Sequence, residues 1–159
     1  MLRKILILTF MLLSSSVFAN DIYIVQIGDN LDLDITQDGQ NNVVGDSTTG
    51  VTLNGDDMTF AITQTGDSNV IAAVIKGTDY TGTWSFTGSS NEVDLLCSST
   101  AAGDCDTVTL NITTTGDSND FTFRIGETST SDSSTVAFTV TGDNNIINST
   151  VNGQVQLYL

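Results

Sequence analysis

The sequence has no histidine and no proline, and only four of its 159 residues are lysine or arginine. Without histidine, neither a Ser-His-Asp nor a Cys-His nucleophile can be assembled, and imidazole metal sites are excluded. Carboxylates are plentiful, but nothing singles out a pair for acid–base work. No catalytic residue, metal ligand or cofactor is therefore expected. Proline interrupts ladders of backbone hydrogen bonds, and its absence suits a chain that is mostly sheet. Two of the four basic residues, Arg3 and Lys4, precede every carboxylate; beyond Asn20 only Lys76 and Arg124 stand against 19 Asp and Glu. Such a chain repels nucleic acid and anionic membranes, and neither is expected as a partner. Long apolar runs are missing too. Residues 5–13 are too short to span a bilayer, so no membrane insertion is expected.

Arg3 and Lys4 before that short run, and Val17-Phe18-Ala19 after it, read as a bacterial signal peptide over residues 1–19. The expected product is a secreted, extracellular or cell-surface domain of residues 20–159. Cys97 and Cys105 bracket a stretch rich in Ser, Ala and Gly. In an exported protein they read as a disulfide closing a surface loop, with a reactive thiol pair as the alternative.

What is abundant is a repeat. Gly39-Gln-Asn-Asn42, Gly66-Asp-Ser-Asn69, Gly88-Ser-Ser-Asn91, Gly116-Asp-Ser-Asn119 and Gly142-Asp-Asn-Asn145 share Gly-x-x-Asn, and Gly28-Asp-Asn30 reads as a shortened copy before them. Four residues before each glycine stand Ile24, Ile35, Ile62, Trp84, Ile112 and Phe138; two residues before stand Gln26, Gln37, Gln64, Phe86, Thr114 and Val140. Two residues after each asparagine stand Val44, Ile71, Val93, Phe121 and Ile147. Both arms therefore alternate with the period of a strand and place apolar residues on one side. One strand–turn–strand unit cannot bury that side alone, whereas stacked units pair equivalent strands and close a shared core. The expectation is an all-β solenoid of about five units with two parallel sheets. The first half-repeat is expected at 20–30, the units around 31–48, 58–76, 82–97, 107–126 and 134–151, and a last strand at 154–159.

Glycine suits the positive φ of a tight turn, and an inward Asn there can bond its copy in the next layer. Gln26, Gln37 and Gln64 are expected to form an amide ladder. The stretches 45–57, 77–80, 97–106 and 127–133 read as insertions between the second arm of one unit and the first arm of the next. Asp29, Asp67, Asp117 and Asp143 follow turn glycines and would stack in a column, making assembly sensitive to cations, salt or pH.

An open solenoid ends in unpaired strand edges that template another chain. The terminal segments around Ile22 and Ile24, and around Val155, Leu157 and Leu159, resemble sticky strands more than polar caps. Head-to-tail joining of unlike edges gives an open filament, with the chain itself as partner. Two other readings compete. Thr63, Thr65, Thr87, Thr113, Thr115, Thr139 and Thr141 would line the outer sheet in rows, like the Thr-x-Thr face of β-solenoid antifreeze proteins. A secreted acidic adhesin or surface-layer protein is the other.

Ile35-Thr-Gln37-Asp-Gly39-Gln-Asn-Asn42 and Ile62-Thr-Gln64-Thr-Gly66-Asp-Ser-Asn69 resemble the curlin repeat of bacterial curli fibre subunits. The later units keep Gly-x-x-Asn but carry Phe86, Thr114 and Val140 in place of Gln. The resemblance implies a secreted β-solenoid that polymerises into the extracellular amyloid fibres of a biofilm matrix. It further implies a nucleator and an outer-membrane secretion pore as partners.

Overall fold

A computed structural model describes residues 21–45, 50–97, 105–126 and 131–158. The expected signal peptide and Leu159 lie outside these residues. The strands are β1 (Asp21–Ile22), β2 (Val25–Ile27), β3 (Asp32–Asp38), β4 (Val43–Val44), β5 (Val51–Asn54), β6 (Met58–Thr65) and β7 (Ser68–Lys76). They continue as β8 (Tyr80–Thr87), β9 (Ser90–Cys97), β10 (Thr109–Thr115), β11 (Asp120–Ile125), β12 (Ser131–Thr141), β13 (Ile146–Val151) and β14 (Gly153–Tyr158). No helix occurs among the described residues.

These strands form two parallel sheets, so the chain is a β-solenoid. The first-arm sheet has six strands in the order β14-β12-β10-β8-β6-β3. The second-arm sheet has eight strands along the path β1-β4-β7-β9-β11-β13, with β2 beside β1 and β5 beside β4. Two rows of the second sheet are thus each split into two short strands, and both sheets are six rows deep.

Alternation explains why these sequences form strands. In β6, Met58, Phe60, Ile62 and Gln64 point inward and are buried, while Thr59, Thr63 and Thr65 are exposed. The register joins Leu33, Phe60, Gly82, Leu110 and Val136 into one column and Ile35, Ile62, Trp84, Ile112 and Phe138 into the next. Across the core lie Val44, Ile71, Val93, Phe121 and Ile147. Gly82 is required by its neighbours. A Cβ there would lie 2.7 Å from both Leu110 Cδ1 and the Tyr80 hydroxyl, so the Tyr80 ring occupies the space of the missing side chain.

The N-terminal segment has the other phase from that expected. Asp21 pairs with Val43, Ile22 with Val44 and Gln26 with Leu53, so residues 21–27 are a second arm. Ile22 heads the Val44 column, and Gln26 lies beneath Leu53 instead of beneath Gln37. Gly28 accordingly belongs to the other turn of the solenoid, under Gly55 and Gly77.

The stretch 45–57 is likewise not one inserted loop. Val51 and Leu53 are fully buried in β5, which continues the row begun by β4. The extra residues fall inside the second arm: 45–50 stand where the next row has only Ala72. Val51 therefore lies in register with Ala73 and Leu95. The added length at 98–104 and 127–130 does fall between a second arm and the following first arm.

Cys97 and Cys105 are disulfide-bonded, with Cα atoms 5.7 Å apart. Both cysteines are fully buried, and Cys97 continues the Leu53–Ile75 column. The bond is thus part of the core, and the loop it closes, 98–104, lies outside the described residues.

Candidate functional site

Two features run the length of the stack, the turn ladders and the outer face of the first-arm sheet, and a third lies at its two ends.

At the Gly-x-x-Asn turn the side chains of five asparagines form an unbroken chain. Asn42 Nδ2 donates to Asn69 Oδ1 at 3.1 Å, Asn69 to Asn91 at 2.7 Å and Asn91 to Asn119 at 2.6 Å. Asn119 donates in turn to Asn145. The same amides also tie down backbone carbonyls, for example Asn42 to Thr65 O at 2.8 Å and Asn69 to Thr87 O at 3.1 Å. The first four asparagines are buried, so these bonds work in a medium where an unpaired amide is costly.

Glycine is needed beside them because the backbones approach closely. A Cβ on Gly116, whose φ is +151°, would sit 1.5 Å from the Gly88 carbonyl oxygen. The position before the asparagine takes the left-handed conformation at Asn41, Ser118 and Asn144, which accounts for polar residues able to bond their own backbone there.

The glutamine ladder is shorter. Gln64 Nε2 donates to Gln37 Oε1 at 2.7 Å, but Gln26 is absent from this column. Phe86 stands in the next row, leaving Gln64 Oε1 buried without a hydrogen-bond partner.

The aspartates form two columns, not one. Asp56 N donates to Asp29 Oδ1 at 2.9 Å and Thr78 N to Asp56 Oδ1 at 2.8 Å, at the turn of Gly28 and Gly55. Asp143 N donates to Asp117 Oδ1 at 3.1 Å at the Gly-x-x-Asn turn, the turn that also carries Asp67. These carboxylates satisfy backbone N–H groups of the next row. Among the described residues no group of three or more His, Cys, Asp or Glu is placed to hold a metal ion.

On the first-arm sheet the expected threonine rows are in register: Thr36, Thr63, Ser85, Thr113 and Thr139 form one, and Asp38, Thr65, Thr87, Thr115 and Thr141 another. A third row went unnoticed in the sequence: Thr59, Thr81, Thr109 and Thr135. It lies seven residues before each turn glycine, two steps further back along each strand than the expected rows.

The ends are open. Ile22, Ile24, Leu31 and Leu33 at one end, and Val140 and Ile147 at the other, are only partly buried against the core. Residues of the same columns in the middle, such as Phe60, Leu110 and Phe121, are at 0% exposure. Val25 and Ile27 on β2 are 70% and 77% exposed. The expected edge positions Val155 and Leu157 lie on β14, the outermost strand of the first-arm sheet.

The family model described as "Curlin associated repeat" matches residues 28–66. The match covers the part of the chain that retains both Gln-x-Gly-x-x-Asn motifs, at Gly39 and Gly66. No curated protein and no solved structure matches the chain.

Proposed function

We propose, from the curlin repeat this chain carries, that it is a structural subunit of an extracellular curli-like amyloid fibre in a bacterial biofilm matrix. In this reading residues 1–19 direct export, an outer-membrane pore releases the chain, and a nucleator starts its end-to-end polymerisation. The repeat family is structural, not enzymatic. The observation that carries the reading is the partly buried core that the described residues leave at both ends of the stack.

Magnitudes show which contact drives the addition. Covering six half-buried aliphatic side chains contributes about 1 kcal/mol each. Association costs roughly 4–15 kcal/mol in lost freedom. Aliphatic burial therefore only approaches break-even, and the backbone ladder of the new row has to supply the surplus. Thr52 N donates to Ile24 O and Gly28 N donates to Asn54 O. In a parallel strand successive residues bond to opposite sides. Val25 and Ile27 thus direct their N–H and C=O groups to the free edge.

The test is Val25→Pro, which removes a free-edge donor and leaves the bonds to β5 intact. Purified residues 20–159 are expected to give fibres with cross-β diffraction, and Val25→Pro to lengthen the lag and cut elongation at least tenfold. A wild-type chain that stays monomeric across salt and pH would refute the reading.

The three threonine rows favour one other function, binding of ice by the first-arm sheet. Thr65→Lys with Thr115→Lys separates the two: it abolishes ice binding by dilute monomer but leaves fibre growth in place.

A further inference from the structure

The two ends of the stack are open in different sheets. At the N-terminal end the second-arm sheet projects one row further, because β1 and β2 pair with β4 and β5 while no strand among the described residues lies under β3. At the C-terminal end the first-arm sheet projects one row further: β14 pairs with β12, and no described strand lies over β13. Each end is thus a coil with one arm missing, and the missing arm is the one the opposite end offers.

The geometry points to a half-lap joint between two copies of this chain, in which β14 of one copy and β1–β2 of the next together make one composite coil. The inference rests on the end-to-end polymerisation proposed above and specifies how the copies seat. Translating a copy by six rows puts β1–β2 over β13 and β3 over β14 in a single step. Both broken ladders then close together.

The register follows from the pairs already present. Asp21 and Ile22 pair with Val43 and Val44, whose columns end at Ile146 and Ile147. Ile22 of the incoming copy therefore continues the core column above Ile147, and both residues are half-buried for want of that neighbour. In the other sheet the column of Leu33 ends at Leu157, and that of Asp32 at Gln156.

Charge selects the same polarity. The N-terminal edge carries Asp21, Asp32, Asp34 and Asp38, whereas β13 and β14 carry no charged residue. Joining two N-terminal ends would set these carboxylates against each other, and like charges directly across a ladder are destabilising. In the lap joint the positions facing Asp32 and Asp34 are Gln156 and Tyr158, both neutral.

The joint fixes the number of rows each copy adds to a fibre. Adjacent strands are about 4.8 Å apart, so six rows give an axial repeat of about 29 Å per subunit. A blunt joint, with both overhangs peeled away, gives five rows and about 24 Å.

Helical reconstruction of fibres grown from the whole secreted chain measures this repeat. A second experiment uses Asp21→Cys with Ile146→Cys, two exposed positions that the joint places one row apart. Mild oxidation of assembled fibres is expected to yield a ladder of covalent multimers that survives dissolution. Asp21→Cys with Asp120→Cys is the control. It sets the pair two rows apart, about 9.6 Å, beyond disulfide reach. Six rows and selective cross-linking support the joint. Fibres with a five-row repeat, or with equal cross-linking in both variants, overturn the joint and leave the fibre reading standing. A chain that forms no fibre overturns both.

Discussion

Replacing Asn91 by Leu tests whether the asparagine ladder holds the rows together. Asn91 accepts from Asn69 at 2.7 Å, donates to Asn119 at 2.6 Å, and also reaches Thr114 Oγ1 at 3.0 Å and Gly88 O at 3.3 Å. Leucine branches at the same carbon and is the larger of the two, so the change removes hydrogen bonds without opening a cavity. Asn69 keeps its bond to Thr87 O but is left with one buried N–H unpaired. Asn119 Oδ1 keeps only the Thr114 hydroxyl at 3.3 Å. One orphaned buried donor costs about 1–3 kcal/mol and the second lost bond about 1 kcal/mol, so the expected loss is about 2–4 kcal/mol. Urea unfolding of dilute chain in the Val25→Pro background, followed by the fluorescence of the single tryptophan, Trp84, measures it. Trp84 is fully buried one strand from Asn91, in the row that is weakened. Asn111→Leu, at an exposed position of β10, is the control and is expected to change stability by less than about 0.5 kcal/mol. Asn69→Leu combined with Asn91→Leu should cost less than the sum of the two, since they share a bond. Equal effects at Asn91 and Asn111, or full additivity along the ladder, would show that the asparagines do not act as a connected chain.

Gly116→Ala is expected to cost about 2–4 kcal/mol, because a Cβ at φ +151° meets the Gly88 carbonyl; the urea midpoint reads it, and Gly28→Ala, with nothing within 4 Å of the added carbon, should cost less. Tyr80→Phe is expected to stabilise by about 1 kcal/mol, since the Tyr80 hydroxyl is buried without a hydrogen-bond partner. Burial pushes that phenol far above its ordinary range, so alkaline absorbance titration should leave Tyr80 un-ionised until the chain unfolds. Cys97→Ser with Cys105→Ser releases a loop closed over a separation of 8 residues and is expected to cost about 2.5 kcal/mol. Because both sulfurs are buried, reductant should act on the native wild type far more slowly than on the unfolded chain.

The fold was legible because each complete unit supplies two arms and one turn, and only one phase puts all of its apolar residues inside. Ile35, Gly39, Asn42 and Val44 fix one another, and so do their copies. Residues 21–30 offer one arm and one turn, and either sheet satisfies a period of two. Ile22, Ile24 and Gln26 fit six, four and two residues before a glycine as well as they fit a second arm. The discriminating signal is the residue three positions after the glycine. Gly28 is followed by Leu31, as Gly55 is by Met58 and Gly77 by Tyr80, whereas the other turn places Asn there. Those apolar residues open the next first arm, and Asn30, Asp57 and Asp79 before them share the left-handed conformation. The buried strand Val51–Asn54 was hidden for a related reason: added residues on one side and a Gly-Asp-Asp turn on the other gave it the composition of a loop.

The regular and irregular parts of the chain do different work. The glycine stack and the asparagine ladder look alike in every row, so they favour any arrangement that superposes one turn on another. Taken alone they would tolerate a copy displaced by one row as readily as the correct placement. The features that break this degeneracy are the departures from the repeat. Phe86 ends the Gln37–Gln64 pair and leaves Gln64 Oε1 without a partner, a local cost that a third glutamine would have removed. It also makes the third row unlike the second. The extra length inside the first unit, after β9 and after β11 falls at three different heights, and Asp32, Asp34 and Asp38 mark only the first row of their sheet. A one-row slip would bring an apolar ring over an amide and align segments of unequal length. Uniform turns therefore give this stack its stability, and non-uniform rows give it a single register, which a fibre with one defined joint per subunit requires.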